Sequence, residues 1–592
     1  MNHRLVGCLF ATIICHTAPT LFAQDATAPL ADRAYGLLKK YCYGCHGVKF
    51  EVEGFNVLKR DVLLGGEKKY VIAGQPDQSV LWRRTGIDGE MPPDGSPKPS
   101  AAELATIKQW IVAGAPFPAS GTRKFISDSD VLTAVRNDLR RTPQADRRYR
   151  RYFSLANLHN NSFTQRIGKN GKNVDDSELP LMRAAVSKLV NSLSWKPIAV
   201  PVVVDANQVV LRIDLRDVGW DRRGVWTEIL RAYPYAVKWH VHPDEALREL
   251  AIEVYQLAAS DVPVIRADWF IDTAARPPLY YQILDLPKLA SDVERLLKVD
   301  VEEDFLKDQL RRAGFAESGV SKSNRLVDRH KAAYGAYWKS YDFKRSEGEG
   351  NLVQFPLGPA FARNPLPRQA FAHDGGEMIF NLPNGLQGYF LTDAPGNRID
   401  AGPPEVVRDL KETSGSILVV NGLSCMACHE RGVVRFKDSV RNGLAVDGAA
   451  RLKVQRLFPT EAEMERLLDQ DEARFMKALT EAIGPFLQVG ADKGKDIRQF
   501  PEAVGSVARA YQRDLEIEEA AVELGMSDPK ELATFIKANS RLRELGLGPL
   551  VPGSNGKGAA IKRTTWAAAG GLLSLHQRVA SELDLGTPYR ER

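Results

Sequence analysis

The chain has 592 residues, of which 44% are hydrophobic and 26% are charged, a balance typical of folded globular proteins. This length exceeds what one ordinary hydrophobic core supports and therefore predicts two to four domains. The formal net charge of +6 is small for so long a chain, which argues against a nucleic-acid partner.

Residues 1–23 have the features of an export signal. Arg4 supplies the positive end, an apolar run follows at 5–15, and Ala23 offers a small residue for cleavage. The stretch "LVGC" at 5–8 resembles a lipoprotein box only superficially, because no apolar region precedes it. The apolar run is too short to span a bilayer of about 30 Å, and no later segment approaches about 20 apolar residues. We therefore expect a periplasmic or otherwise exported protein without an integral membrane segment after cleavage.

Four cysteines remain after the leader, and all four belong to one repeated pattern. Cleavage removes Cys8 and Cys15, and the others lie in two Cys-x-x-Cys-His motifs, "CYGCH" at 42–46 and "CMACH" at 425–429. In c-type haem attachment, two thiols on one helical turn add across the porphyrin vinyl groups, and the following histidine ligates iron. The spacing predicts two covalent haem c groups, held by Cys42, Cys45 and His46 and by Cys425, Cys428 and His429.

Two other uses of paired cysteines remain as alternatives. A redox disulfide would lie on a thioredoxin-like βαβ pattern, which the sequence does not show. A structural zinc ion could be held by the four thiolates together. Neither alternative requires a histidine directly after the second cysteine. With 10 histidines in the chain, that coincidence at both motifs has a chance on the order of a few in ten thousand.

The first motif opens a predicted helical domain at 28–120. Met91, in the Pro/Gly loop "DGEMPPDGSP", is the candidate sixth ligand, since His/Met pairing sets an electron-transfer potential and such a loop is an unusual place for a core methionine. The stretch 100–118 predicts a closing helix, with Ser100 as N-cap, Glu103 completing a capping box and Gly114 near its end.

Residues 42–118 resemble the cytochrome c domain common in planctomycete-type multidomain proteins. That family shows a CxxCH, a Gly-Gly, a "PG-P-x-S-L" segment, an "MPP" and a final "W-I-x-x-GA"; here Ala73 replaces the usual proline before glycine. The predicted domain at 28–120 makes up about one sixth of the chain. The resemblance implies a small all-helical cytochrome c fold with His46 and Met91 as axial ligands.

The sixth ligand of the second haem is less clearly marked, because no "MPP" follows 425–429. We favour His373, in "QAFAHDGGEMIF", since histidine is the commonest haem ligand. Met378, Met464, Met476 or no ligand are the alternatives. The region from "RRYFSLANLHN" to "VNGLSCMACHERGV" resembles the second part of exported di-haem proteins from similar bacteria, which implies haem attachment but no particular reaction.

The remaining elements predict a chain that is mainly α, with a mixed α+β middle. We expect strand pairs within 199–220 and 376–400, and helices at 243–259 and 292–314. The predicted organisation after the leader is an all-α cytochrome c domain at 28–120, a basic linker or helix at 121–151, an α+β domain carrying the second haem at 152–445 and a helical C-terminal region at 446–592. The glycines of 553–560 fail a phosphate-loop spacing and predict an ordinary loop.

Three functions fit these features. The first is an exported di-haem cytochrome that exchanges electrons with a periplasmic redox partner. The second is a di-haem oxidoreductase, peroxidase-like or other, in which the first haem feeds electrons to a catalytic second haem. The third is a binding module with an aromatic-rich middle. The basic stretch at 138–151 predicts a solvated face or a docking surface for an acidic partner. No pattern identifies catalytic side chains.

Overall fold

The structure is a computed structural model that describes most of the chain. It covers residues 30–31, 33–38, 40–43, 45–46, 57–58, 60–65, 70–93, 96, 98–117, 125–163, 178–316, 318–410, 412–553, 558–568 and 573–591. The predicted leader at 1–23 and four residues of the glycine loop at 553–560 lie outside these ranges. The chain divides into two compact units, and the described residues of the first end at 117 while those of the second begin at 125.

The first unit is helical in its described residues. Its elements are the α-helices Arg60–Gly65, Val80–Trp82 and Ala101–Val112, the 3-10 turn Pro76–Gln78 and the π-helical turn Arg83–Ile87. Its apolar core includes Leu38, Trp82 and Trp110. The predicted closing helix is present, because Ser100 and Glu103 form both hydrogen bonds of the capping box. That helix ends at Val112, just before Gly114 turns the chain with φ +88°.

The described residues of the second unit form two sheets of more than two strands. Its strands are β1 Arg150–Ser154, β2 Val202–Val203, β3 Val210–Asp214, β4 Val237–Lys238, β5 Val264–Arg266, β6 Arg311–Phe315, β7 Arg325–Ala332, β8 Gly335–Asp342, β9 Gly375–Asn381, β10 Gln387–Asp393, β11 Ala401–Gly402, β12 Val419–Val420 and β13 Thr587–Pro588. One sheet has the order β2-β3-β1-β5, with only β1 and β5 parallel. The other is an antiparallel sheet of order β10-β9-β8-β7-β6.

Helices cover these sheets and fill the rest of the second unit. They are Asp128–Arg141, Gln144–Arg147, Ala156–Phe163, Glu178–Ser192, Val225–Ala232, Glu245–Ala258, Ala267–Ala274, Leu279–Leu284, Ala290–Leu297, Val301–Leu306, Leu423–Cys428, Gly448–Leu457, Glu461–Leu487, Ala503–Tyr511, Ile517–Glu523, Pro529–Ala538, Ser540–Glu544, Arg563–Ala567 and Leu575–Glu582. One apolar cluster runs through this unit from Ile126 to Ala580. The domain boundaries predicted within the unit stay predictions.

Most of the elements predicted from pattern are present, and the mixed α and α+β fold class is confirmed. The strand pairs β2–β3 and β9–β10 and the helix Glu245–Ala258 lie where the sequence placed them. The prediction of one helix over 292–314 is wrong. After two short helices the chain enters β6, because the buried Arg312 pairs with Asp328 of β7 and thereby joins the sheet. No described helix is long and apolar enough to cross a membrane.

Several arginines of the basic stretch at 138–151 form ion pairs and hydrogen bonds within the second unit. Arg140 pairs with Glu253 at 2.5 Å, and Arg150 pairs with Asp214 at 2.9 Å. Arg147 donates to the Thr142 carbonyl at 2.9 Å. These contacts give several of the cations structural roles within the unit, and the docking surface stays a prediction.

Candidate functional site

The first Cys-x-x-Cys-His motif lies on a helical turn. The His46 amide donates to the Cys42 carbonyl at 2.9 Å, and the Cys45 amide donates to the same carbonyl at 3.3 Å. This turn brings the two cysteines and the histidine to one end of a helical segment, as covalent attachment of a porphyrin requires. Burial raises the pKa of the Cys42 thiol to about 12, with a contribution from Cys45, so the thiol is held neutral beside its partner.

The helix before this motif is tied to the closing helix of the first unit. The Tyr41 hydroxyl donates to both carboxylate oxygens of Glu103, and Lys40 pairs with Glu103 at 2.9 Å. Cys42 also packs against the apolar cluster that contains Trp110. Glu103 therefore caps its own helix and anchors the segment that carries the thiols.

The loop that carries Met91 is fixed by contacts at both ends. The Met91 amide donates to the Arg84 carbonyl at 2.9 Å, and Arg84 pairs with Glu90 at 3.0 Å. Lys98 donates to the Gly89 carbonyl at 3.0 Å. Met91 itself is half-buried, so its thioether is held in a defined loop rather than packed fully into the core.

The second motif lies on the short helix Leu423–Cys428, and the glycine that precedes this helix has a positive φ. Gly422 has φ +81° and leads the chain from β12 into the helix. The His429 amide donates to the Cys425 carbonyl at 2.8 Å, which continues the helical turn and sets both cysteines and the histidine in register. Cys425 is buried and Cys428 is half-buried. Burial, reinforced by Glu377, raises the pKa of the Cys425 thiol well above its usual range.

A hydrogen bond fixes which nitrogen of His429 is available to a metal. Nδ1 lies 3.0 Å from the Gly432 carbonyl oxygen, and because a carbonyl only accepts, Nδ1 must carry the proton. Iron-ligating histidines commonly donate their second ring nitrogen in this way, which fixes the tautomer and leaves Nε2 as the ligand atom. The Tyr389 ring lies almost parallel to the imidazole, with centroids 5.9 Å apart. This donor set fits a covalent haem c.

Glu377, which the sequence reading missed, lies beside His429. Its Oε1 is 3.6 Å from His429 Nε2, and both side chains are 12% exposed. Burial acts to raise the pKa of Glu377, but the charge and hydrogen bond of His429 and the charge of Arg325 outweigh it and bring the pKa to about 2. A charged residue within the otherwise apolar strand "GGEMIF" was the one signal that could have pointed to it.

His373 lies on the other face of the five-stranded sheet. The strand register pairs Asp342 of β8 with Gly375 of β9, and paired residues lie on the same face of the sheet. Residues two apart in a strand also share a face, so Glu377 lies on the face of Asp342, and Tyr341 lies on the opposite face. The His373 ring packs edge-on against the Tyr341 ring, with centroids 5.0 Å apart. Burial, with Lys339 contributing, lowers the pKa of His373 to about 4. The structure therefore brings Glu377, and not His373, to the second motif; ligation by His373 stays a prediction.

The methionine alternatives for the second haem lie in the core. Met378, Met464 and Met476 are at most 7% exposed, and all three belong to the main apolar cluster. Within the described ranges, the one group of three ligands at metal-binding distance is the carboxylate trio of Glu516, Glu518 and Glu519. A zinc ion shared by the two cysteine pairs stays an alternative.

The first motif and Met91 fall in one segment that matches a protein-family model. Residues 42–95 match the family model described as Planctomycete cytochrome C. This segment is a cytochrome c domain. The match confirms the resemblance read from the sequence, and a cytochrome c domain implies a covalently attached haem c that serves electron transfer. No curated protein and no solved structure matches the chain.

The second motif lies outside the matched segment. In contrast to the cytochrome c domain, its surroundings are a five-stranded sheet and the helix Ala503–Tyr511, and Ala427 approaches that helix closely at Gly505. What the second motif binds must therefore be argued from its own geometry.

Proposed function

We propose that this chain is an exported di-haem c-type cytochrome that carries electrons in the periplasm. The first haem would be held by Cys42, Cys45, His46 and Met91, and the second by Cys425, Cys428 and His429. Residues 1–23 would direct export, and haem c attachment outside the cytoplasm agrees with that route. A bound haem c supplies one-electron chemistry, its iron alternating between the ferric and ferrous states.

The proposal of a second haem rests on the hydrogen bond from His429 Nδ1 to the Gly432 carbonyl. It presents Nε2 as a ligand atom directly after two cysteines on one helical turn. A histidine used only for packing would not need this combination of tautomer and position. For attachment, each thiol hydrogen moves to one vinyl carbon while the sulfur bonds to the other, so the addition is balanced without a further oxidant.

The residues of the chain perform three tasks in electron carriage. The cysteines fix the position of each porphyrin, and the two histidines set the iron ligation. The apolar cluster around Cys42 and Trp110 would shield the half-buried first site from water, and the burial of Cys425 would do so at the second. The electron donor and acceptor would be a periplasmic redox protein, whose one-electron oxidation or reduction balances that of the iron.

Mass spectrometry of the mature protein tests the count. Expressed in a host that matures c-type cytochromes, the wild type should gain the mass of two haems. Cys42→Ala/Cys45→Ala and Cys425→Ala/Cys428→Ala should each lose one haem. Met426→Leu, which changes a residue between the second pair of cysteines, should retain both. A wild type that carries one haem or none contradicts the proposal.

The second candidate is a di-haem oxidoreductase. It is favoured by the size of the second unit, whose described residues run from 125 to 591 around a single motif, whereas about 100–150 residues make an ordinary domain. In that case the first site would supply electrons to a reaction at the second. Binding of cyanide to one of the two irons would favour this candidate, and two irons that both exclude cyanide would favour simple electron carriage.

A further inference from the structure

A cavity of about 130 Å³ lies beside the four-stranded sheet of the second unit. Its wall includes Ser154 of β1 and Val264 of β5, which is an edge strand of that sheet. Three helices complete the wall and contribute Asp128, Tyr255 and Glu523. A cavity of about 150 Å³ can hold benzene, so this space admits a small organic molecule. None of its described lining residues belongs to either Cys-x-x-Cys-His motif.

Four charged side chains line the cavity, and three of them have partners of opposite charge. Arg266 and Glu523 pair with each other at 2.7 Å, and Asp261 pairs with Lys238 at 2.7 Å. The fourth is Asp128, which forms no ion pair and no side-chain hydrogen bond with any described residue. The wall therefore carries one negative charge that the protein itself does not balance.

The Asp128 side chain is open to the cavity. Asp128 is exposed to water, yet the surrounding protein atoms raise its pKa to about 6 through burial. A group that is accessible and at the same time surrounded by protein has its accessible surface inside a cavity. A Cβ built on Gly525, another lining residue, would lie 3.2 Å from Asp128 Oδ2, which places the carboxyl group against that glycine. A carboxyl group with a pKa of about 6 is mostly ionised at pH 7.

Aromatic side chains share this cavity with the carboxylate. Tyr233, Tyr235, Trp239 and Tyr255 all line it. Aromatic rings attract organic cations to their faces, and tryptophan does so most strongly. The Tyr235 ring already holds the Arg266 guanidinium 4.1 Å from its centroid. Trp239 and Tyr255 are half-buried, and no cation of the described residues lies over their rings.

We propose that this cavity binds a small organic cation, an alkylammonium or quaternary ammonium ion, with its charge against the Asp128 carboxylate and its alkyl groups against Trp239 and Tyr255. The inference goes beyond the proposed function and does not depend on either haem.

The composition of the wall favours this class of ligand over the others of similar size. An anion would be repelled by Asp128, and a neutral molecule would leave that charge unbalanced. A divalent metal ion takes several oxygen ligands, whereas the one trio of metal-binding groups in the described ranges is that of Glu516, Glu518 and Glu519, none of which lines the cavity. An organic cation needs only one carboxylate, because the rings and the apolar wall contact the rest of it.

The test titrates the mature full-length protein with two ligands by isothermal titration calorimetry. One is choline, which is close to benzene in size and carries a quaternary ammonium group. The other is dimethylbutanol, the neutral alcohol in which a carbon atom replaces the nitrogen of choline. The two molecules have almost the same shape, so a difference in affinity reports the charge. The wild type should bind choline at least about tenfold more tightly than the alcohol.

Two variants locate the binding. Asp128→Asn should weaken choline binding by about tenfold or more and leave the affinity for the alcohol unchanged. The matched control is Asp447→Asn, because Asp447 is also exposed at the start of a helix but lies outside the cavity and forms no capping bond through its side chain. This control should bind choline as the wild type does.

Several results would overturn the proposal. They are a wild type that does not bind choline, equal affinities for choline and the alcohol, and unchanged choline binding in Asp128→Asn. Binding of calcium that is lost in Asp128→Asn, without binding of choline, would identify a metal site instead. The comparison of the two ligands in the wild type decides the matter even if a variant fails to fold. The haem count by mass is a separate measurement, so failure here leaves the proposed function intact.

Discussion

Gly422 is the N-cap of the helix that carries the second motif, and its replacement by alanine should disturb that helix. Its backbone has φ +81° and ψ −69°, a conformation that L side chains rarely adopt. An added Cβ would lie 2.4 Å from the Ala275 carbonyl oxygen and 3.1 Å from the Tyr280 ring. The carbonyl belongs to the backbone, so it cannot move aside as a side chain would.

The cost of Gly422→Ala follows from these two effects. The disfavoured backbone conformation costs about 1–3 kcal/mol. Forcing a methyl group into occupied space costs about 1–3 kcal/mol more. We therefore expect the free energy of unfolding to fall by about 2–6 kcal/mol. Gly448→Ala is the matched control, because Gly448 has φ +51° with no atom within 4 Å of its added Cβ and should cost about 1 kcal/mol.

Urea unfolding followed by tryptophan fluorescence measures both variants, and haem stoichiometry measures the effect on the site. Gly422→Ala should unfold at clearly lower urea than Gly448→Ala and should load less haem at the second motif. Equal midpoints for the two variants would refute the reasoning, because they would show that the contact with Ala275 is relieved without cost.

Three further predictions follow from other parts of the molecule. Met91→Leu should abolish the methionine-to-iron band of the first haem while covalent attachment persists, and a band that survives would exclude Met91 as ligand. Asp328→Asn should lower the free energy of unfolding in urea by about 3–5 kcal/mol, because it leaves the buried Arg312, 1% exposed and paired at 2.6 Å, without its counter-charge. As a control, Arg435→Gln removes an ion pair that is about half exposed and should lower it by at most about 1 kcal/mol. Burial lowers the pKa of His576 to about 4, so between about pH 6.5 and pH 4 the unfolded chain binds a proton that the folded chain does not. The free energy of unfolding should therefore fall by on the order of 3 kcal/mol as the pH drops through this range. His576→Gln should flatten this dependence of stability on pH, and an unchanged dependence would contradict the assignment.

Local sequence signals predicted the elements that depend on neighbouring residues. Ser100 and Glu103 determine a helix start through hydrogen bonds three residues apart, and the structure forms both. The strand pair β9–β10 follows from alternation around the Asn384–Gly385 turn. The prediction over 292–314 was wrong because Arg312 is drawn into the sheet by a partner 16 residues later, and helical periodicity carries no information about that partner.

The surroundings of the second motif likewise combine features that local sequence predicts with a contact that depends on distant residues. Cys425, Cys428 and His429 are recognisable from five consecutive residues. Glu377 lies 52 positions before His429 and reaches it only because the antiparallel sheet turns that face of β9 toward the motif helix. The same strand pairing leaves His373 against Tyr341 on the far face.

The sequence by itself predicted the thiol and imidazole groups of both motifs, which are covalent neighbours as the attachment of one porphyrin would require, and it predicted the Met91 loop and the helix caps. Only the tertiary structure decided which side chain faces His429. The reason is physical: alternation along a strand assigns each residue to a face, but sheet pairing and helix packing decide what that face meets.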